Sequence, residues 1–399
     1  MSSKPIQLGI FGFGCVGQGL YEVLHKTKGI NASIKKICIK HPDKERPIDQ
    51  RFFTTDRDEL LNDPEIDVIV ELISEPDAAY EIVTTALKNK KAVVSASKKM
   101  IAEHLEELVQ LQKEHQTALL YEASACASIP VIRNLEEYYD NDLLNGIEGI
   151  FNGSTNYILT SIFNQNKSFD VALKEAQDKG FAEADPTLDI EGYDAKYKLC
   201  ILLLHAFGLF VNPEDVFHFG IHRLNDFDIA FARNHQCIIK LLPKAYKTNG
   251  KVAAYVLPHL VPTDHFFATI ENEYNAAWVE SAFSEHQAFV GKGAGGTPTG
   301  SAVLSDISAL TYQYKYEYKK LLQHPIEGLQ EDYVLKLYVR YNNSTVINLT
   351  DFENIETTHL SKAGNYLIGY IKLRNLRNAG WLKLPDVNVL AIDHKVLHI

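Results

Sequence analysis

The sequence predicts an α/β fold: a doubly wound parallel sheet, joined to an α+β domain and a small C-terminal appendage. Three observations carry this reading. Apolar strands alternate with helices from Ile6 to Tyr139. A glycine-rich turn links the first strand to the first helix. After Asn145 the alternation gives way to strand-like runs around one helix that is apolar almost all round.

The first strand is Ile6–Phe11, followed by Gly12-Phe13-Gly14-Cys15-Val16-Gly17 and a helix over Gln18–Lys26. This is G-x-G-x-x-G in the strand–turn–helix context that gives it meaning, so the domain is read as Rossmann-type. The glycines permit a tight turn and close approach of backbone to a pyrophosphate, and the helix N-terminus offers its unpaired N–H groups. All six residues, Gly12 to Gly17, are candidate cofactor contacts. The second strand, Ser33–Ile39, ends in Lys40-His41-Pro42, with Asp43 only after the proline and Arg46 nearby. A basic residue there suits a ribose 2′-phosphate, which makes Lys40 a cofactor contact and favours NADP over NAD. A solvated basic turn is the plainer alternative.

Strands follow at Asp67–Leu72, Lys91–Ser97 and Ala118–Ala123, and helices at Asp77–Lys90, Glu103–His115 and Ile129–Tyr139. Ligands of such sheets sit at the strands' carboxyl ends, which here carry Ser74, Ser97-Lys98 and Glu122-Ala123-Ser124-Ala125. Gly146–Phe151 reads as a strand that opens a helix from Asn152 to Phe163, with Ser154 or Thr155 as its cap. A helix covers Asp226–Arg233, and strands cover Cys237–Lys247, Val252–Leu257, Phe266–Ile270, Ala276–Glu280 and Gln287–Val290. A second glycine-rich loop, Gly291 to Gly296, precedes a helix over Ser301–Leu310; it reads equally as a flexible hinge or as an approach to the cofactor, which places Gly293 among the candidate cofactor contacts. Leu321–Glu331 is a polar linker, and strand-like runs at Asp332–Tyr341, Asn365–Leu373 and Val387–Ile392 form the tail. The domains are thus 1–145, with the helix over 299–318 packing back on it, then 146–298, then 330–399.

The chain has 399 residues, 46% of them apolar and 23% charged, as in globular proteins generally. A formal net charge of −11 argues against nucleic acid or an anionic membrane as partner. The five cysteines show no paired or metal-ligand spacing, which suggests reduced, buried thiols and a cytoplasmic protein. The N-terminus carries Lys4 but runs directly into a strand, so no signal peptide is expected, and no apolar run is long enough to span a bilayer.

The most chemically loaded stretch is Ala176–Lys198, AQDKGFAEADPTLDIEGYDAKYK. Pro186 and Gly192 punctuate it as an ordered turn between helices. Asp194 and Lys198 lie four residues apart at the entrance of the apolar helix that runs to Phe207, so they share a face. Partial burial there is what brings a lysine or carboxylate into acid–base work. For an arbitrary Asp/Lys pair a solvated ion pair is the commoner outcome.

With GFGCVG, EGIFNGSTNYIL, GFAEADPTLDIEGYDAKYK and GKGAGGTPTGSAVLSD in that order, the chain resembles homoserine dehydrogenases over roughly Ile6 to Leu310. The resemblance implies NAD(P)H-dependent reduction of L-aspartate 4-semialdehyde to L-homoserine, in threonine, methionine and isoleucine biosynthesis. It implies that Lys198 gives the proton to the aldehyde oxygen, that Glu183 and Asp194 bind substrate with Asp189 close by, and that Lys98 stands between cofactor and substrate. It further implies a cofactor contact at Gly180, a sodium ion held by backbone oxygens of Glu122, Ala125, Ala127 and Ile129, and a homodimer or higher homo-oligomer formed through the second domain. The sequence departs from the family pattern at Ser74-Glu75 and at Cys126-Ala127-Ser128, where side chains replace glycine and narrow the space for ligands, and at Ser97, where asparagine is common. No aspartate kinase segment is present. The tail is read as a packing appendage or an ACT-type regulatory domain. Two other readings compete. One is an acylating aldehyde dehydrogenase with Cys126 as nucleophile, for which no histidine partner is evident. The other is a dinucleotide-binding regulator without catalysis, which the intact Lys198, Asp194 and Glu183 disfavour.

Overall fold

The computed structural model describes residues 5–140, 143–323, 326–342 and 345–393. Lys4 and the end of the tail, named above, lie outside them. The chain divides into two compact units. The first comprises Met1–Asp142, Cys200–Asn212 and Gly291–Gln323; the second comprises Leu143–Leu199, Pro213–Val290 and His324–Ile399.

In the first unit six strands form one sheet: β1 (Ile6–Phe11), β2 (Ala32–Cys38), β3 (Phe53–Thr54), β4 (Val68–Glu71), β5 (Ala92–Ser95) and β6 (Leu119–Leu120). Their order is β3-β2-β1-β4-β5-β6, and every pairing is parallel. The strand order reverses between β1 and β4, which is where sheets of this kind open a ligand crevice. Leu8, Ile10, Ile37, Ile69, Val70, Val93, Val94, Leu119 and Leu120 are buried in the sheet, which explains why its strands read as short unbroken apolar runs.

Several expectations need correction. The first helix begins at Cys15, inside the glycine motif, because glycine-loop backbone already adopts the helical turn, with the Gln18 N–H donating to Gly14 O. The helix expected from Glu103 begins at Lys98 and bends at His104. The strand expected over Ala118–Ala123 is only Leu119–Leu120, since Glu122–Ser124 turns away as a single 3-10 turn. Cys15 is exposed and Cys38 half-buried, whereas Cys126, Cys200 and Cys237 are buried. The helix Gly296–Leu310 belongs to the first unit and lies across the helix Cys15–Lys26.

The second unit carries ten strands: β7 (Leu144–Ile150), β8 (Phe217–His218), β9 (Cys237–Thr248), β10 (Lys251–Pro262), β11 (Tyr274–Ser281), β12 (Glu285–Lys292), β13 (Val334–Tyr341), β14 (Phe352–His359), β15 (Asn365–Lys372) and β16 (Asn388–Ile392). They run β12-β11-β7-β9-β10-β16-β13-β15-β14, with β8 beside β10. Strands β8 and β16 pair with β10 in parallel; β7–β9, β7–β11, β9–β10, β13–β15, β13–β16 and β14–β15 are antiparallel. The strands of the tail therefore continue the sheet of the second unit. A buried cluster including Phe217, Leu257, Leu337, Val339, Leu367 and Trp381 packs one stretch of that sheet. Asp228, on the helix Asp226–Asn234, ties the tail in: it accepts from Arg340 Nε at 3.0 Å, Tyr338 OH at 3.1 Å and Asn388 Nδ2 at 3.0 Å.

Phe266–Ile270, expected as a strand, is instead a 3-10 turn over Phe266–Thr269. His265 caps it by accepting the Phe267 N–H, and the Phe266 and Phe267 rings pack against Trp278, so the apolar run serves a corner and not a ladder. Among the described residues no helix is long and apolar enough to cross a membrane.

Candidate active site

At the end of β1 the glycine turn has the form that the motif needs. Gly12 has φ +96°, and a Cβ there would lie 2.8 Å from Leu72 O. A Cβ at Gly17 would lie 2.6 Å from Gly12 O, whereas one at Gly14 meets nothing within 4 Å. The helix that follows has no side chain capping its N-terminus and no acid in its first turn, so its N–H groups face outward with a positive partial charge. These residues fit the pyrophosphate of a dinucleotide. The second glycine-rich loop reaches the same place: Gly296 lies so near Cys15 that a Cβ would be 2.5 Å from Cys15 O.

Around the end of β2, Lys40 is exposed. The Arg46 guanidinium sits 5.1 Å from the centre of the Phe53 ring, held by the carbonyls of His41 and Lys44. Phe53 in turn packs edge-on against Phe13 of the glycine turn, with ring centres 5.4 Å apart. Ser74 is exposed beyond β4, and Lys98 is half-buried as the first residue of its helix.

A residue that sequence reasoning missed organises the ends of β4 and β5. Glu71 is fully buried and accepts from Ser95 Oγ at 2.5 Å and from the Ile73 N–H at 2.8 Å. Ser95 Oγ also receives the Ser97 N–H. Burial pushes the Glu71 carboxyl up to about 7 from its ordinary 4.5, against the pull of those two donors. A carboxyl raised in this way holds its proton more tightly folded than unfolded, so stability falls as pH climbs from the ordinary value to about 7 and then levels. Glu71→Gln is expected to flatten that part of the curve. Urea unfolding at about pH 5 and about pH 8 checks it; an unchanged difference between the two would contradict the assignment.

The loop after β6 is a buried electrostatic knot. Glu122 accepts the N–H groups of Ile132 and Arg133, at the start of the helix Val131–Glu137, each at 2.8 Å. Asp306 accepts from the Glu122 N–H at 2.9 Å and from Arg133 Nη2 at 2.8 Å. Burial raises both carboxyls, and their mutual repulsion adds to it for Glu122. Ala127 has φ +50°, a left-handed backbone that costs any residue but glycine. Ala125, Ala127 and Ile129 are buried, and the carbonyls of Glu122 and Ile129 each accept one backbone N–H. Cys126 is fully buried as well, which leaves no exposed thiol at the position suggested for a nucleophile.

The helix Tyr193–Phe207 begins with the Asp194/Lys198 pair, both residues of the second unit. Lys198 Nζ lies 2.8 Å from Asp194 Oδ2 and donates to Phe151 O at 2.6 Å. Lys198 is 7% exposed and Asp194 2%, so the pair is no solvated surface bridge. Asn152 binds the acids together: its Nδ2 donates to Asp194 Oδ2 at 2.8 Å and to Asp189 Oδ1 at 2.6 Å. Its Oδ1 accepts the Thr155 N–H at 2.8 Å, so Asn152, and neither Ser154 nor Thr155, caps the helix Gly153–Gln165. One side chain thus fixes both the helix start and the carboxylates. Glu183 is exposed, its carbonyl receiving Gln177 Nε2, and no hydrogen bond to its carboxylate is seen among the described residues. Gly180 turns the chain after the helix Phe169–Asp178, with φ +76° and open space where a Cβ would be.

A parallel sheet with a glycine-rich turn at its switch point, and a desolvated lysine braced by Asp194, fit a nicotinamide-dinucleotide oxidoreductase. Residues 130–308 match the family model of homoserine dehydrogenase, and residues 12–122 match that of the homoserine dehydrogenase NAD binding domain. The homoserine dehydrogenase of Bacillus subtilis is 37% identical over 316 residues, covering 77% of this chain and 73% of that one. The structure of a homoserine dehydrogenase from Thiobacillus denitrificans superposes with a TM-score of 0.85 at 29% identity, over 98% of each chain. A hyperthermophilic archaeal homoserine dehydrogenase mutant in complex with NADPH gives 0.66 at 26% identity, over 78% of this chain and 99% of that one. The chain belongs to the homoserine dehydrogenase family, oxidoreductases that act on a CH–OH group.

Proposed function

We propose that this protein reduces L-aspartate 4-semialdehyde to L-homoserine with NADPH, in the cytoplasmic synthesis of threonine, methionine and isoleucine, as a homodimer or higher homo-oligomer. The observation that carries the reading is the bracing of Lys198. Two of its three N–H groups go to Asp194 and Phe151, which leaves one for a substrate oxygen. When bound, the reduced nicotinamide supplies the hydride. Lys198 donates to the oxygen on which negative charge grows, and passes its proton there. Asp194 keeps the lysine's ammonium oriented and, with Glu183, takes the substrate's own ammonium, Asp189 lying close by. Lys98 adds a second positive charge for the developing alkoxide or the substrate carboxylate.

Gly12, Phe13, Gly14, Cys15, Val16 and Gly17 hold the cofactor's pyrophosphate, with Ser74, Lys98, Gly180 and Gly293 as further contacts. Lys40 and the guanidinium of Arg46, stacked on Phe53, favour a 2′-phosphate and hence NADP over NAD. A sodium ion on the carbonyls of Glu122, Ala125, Ala127 and Ile129 is consistent with their chemistry, since a carbonyl oxygen accepts twice.

Homoserine oxidation followed separately with NADP and NAD tests the activity directly. Homoserine-dependent formation of reduced cofactor, faster with NADP, is expected; its absence with both would refute the reading. The double substitution Lys40→Ala/Arg46→Ala is expected to lower the NADP-over-NAD preference by about tenfold or more, the worth of one or two charge-assisted bonds to phosphate. An unchanged preference would remove these residues from cofactor choice.

A further inference from the structure

We propose that Asn275 is a positioning residue for Lys198: its side-chain amide holds the Phe151 carbonyl where that oxygen fixes the lysine's ammonium. The inference rests on the reading of Lys198 as proton donor.

The antiparallel pairing of β7 with β11 runs as far as Ile150 opposite Ala276. One step further, the ladder is replaced by a side chain: Asn275 Nδ2 donates to Phe151 O at 3.1 Å. The same oxygen receives Lys198 Nζ at 2.6 Å, so both of its lone pairs are engaged. Phe151 is the last residue before the Asn152 cap. Its carbonyl therefore stands at the point where strand becomes helix, outside the regular bonding of either.

Asn275 is fully buried, so it does not touch substrate and acts only through its neighbours. Its Oδ1 has no hydrogen-bond partner among the described residues. Burying an amide oxygen without a partner is unfavourable, and a small apolar residue would avoid the cost. The position therefore uses the NH2 group. Its orientation is fixed by the acceptor, since an amide oxygen facing Phe151 O at that distance would be repelled.

The segment that carries Asn275 is itself pinned. Asn156 Nδ2 donates to Tyr274 O at 3.0 Å and to Ile270 O at 3.1 Å. Lys240 Nζ backs this with bonds to Asn156 Oδ1 at 2.7 Å and Ile270 O at 2.6 Å. A Cβ at Gly153 would fall 2.7 Å from Glu273 O, so the start of the helix rests directly on this segment. The run Asn152-Gly153-Ser154-Thr155-Asn156 thus works on two sides. Asn152 holds the carboxylates around Lys198, and Asn156 holds the segment that holds Phe151.

The test compares Asn275→Leu, Asn275→Ser and Lys198→Ala with the unaltered protein. Asn275→Leu keeps the shape but removes the donor; Asn275→Ser is too short to reach. Both are expected to lower kcat at least about tenfold with KM changed less than about twofold, since only the proton-donating geometry is disturbed. NADPH titration and thermal melting confirm that each variant is folded; should Asn275→Leu fail to fold, Asn275→Ser carries the kcat and KM comparison. Asn275 variants with unaltered kcat, beside an inactive Lys198→Ala, overturn the inference alone. An active Lys198→Ala overturns the reading of Lys198, and this inference with it.

Discussion

Lys198→Ala is expected to lower kcat by about 10²–10⁴-fold, the usual worth of a positioned general acid, while leaving NADPH binding intact. The side chain sits on a helix whose other inward residues, Leu199, Cys200, Ile201 and Leu202, already fill the core, so its removal does not unravel the fold. On the proposed mechanism, what disappears is a desolvated cation beside the oxygen that gains negative charge. Asp194 then remains as a buried carboxylate beside Asn152, which makes the site more repulsive to an alkoxide. Lys198→Arg is not a rescue, because a planar guanidinium cannot reproduce both the 2.8 Å contact with Asp194 and the 2.6 Å bond to Phe151 while offering a transferable proton. Steady-state kinetics in both directions, with cofactor fluorescence for binding, decide the matter. A variant with turnover near that of the unaltered protein would eliminate Lys198 from the chemistry.

Gly19→Val is expected to destabilise the dinucleotide-binding unit by about 3 kcal/mol or more, as severe overpacking does, and to weaken NADPH binding in proportion. A Cβ at Gly19 would lie 2.0 Å from Gly296 O, and one at Gly300 would lie 2.5 Å from Leu20 N. The obstacle is backbone in each case, so no side chain can swing aside. The two helices must separate, and the one that moves begins at Cys15, inside the glycine-rich turn. Cofactor affinity is thereby tied to a contact outside the motif itself. Thermal melting and NADPH titration test the pair of effects; an unchanged melting temperature would show that the helices are free to part. Gly300→Ala gives a milder version of the same experiment.

The first unit was readable because its signals are local. Gly12, Gly14 and Gly17 sit at fixed spacing between an apolar strand and a helix, and each later strand is a short apolar run. The Asp194/Lys198 pair was readable for the same reason, being four residues apart on one helix. Asn275 was not, because its partner Phe151 O is distant in sequence and no periodicity marks a single asparagine in a strand. Glu71 ends an apolar strand, and only the fold brings Ser95 to it. Asn152 was legible as part of a helix start, but its bonds to Asp189 and Asp194 depend on where the acidic stretch returns. The strand Phe352–His359 escaped notice because it lies at the sheet's edge, largely exposed, and lacks the apolar alternation of a half-buried strand. The helix Phe169–Asp178 was likewise missed, its buried side resting on only Ala172 and Ala176.

The placement of β16 has a consequence for how the protein is made. This strand is the last of those described to leave the ribosome, yet it is laid between β10 and β13, near the middle of the row. Until it emerges, a nascent chain carries two partial sheets whose inner margins are both unsatisfied, and such margins are what nascent-chain aggregation and chaperone capture act upon. β16 must therefore emerge before the larger sheet can close its seam.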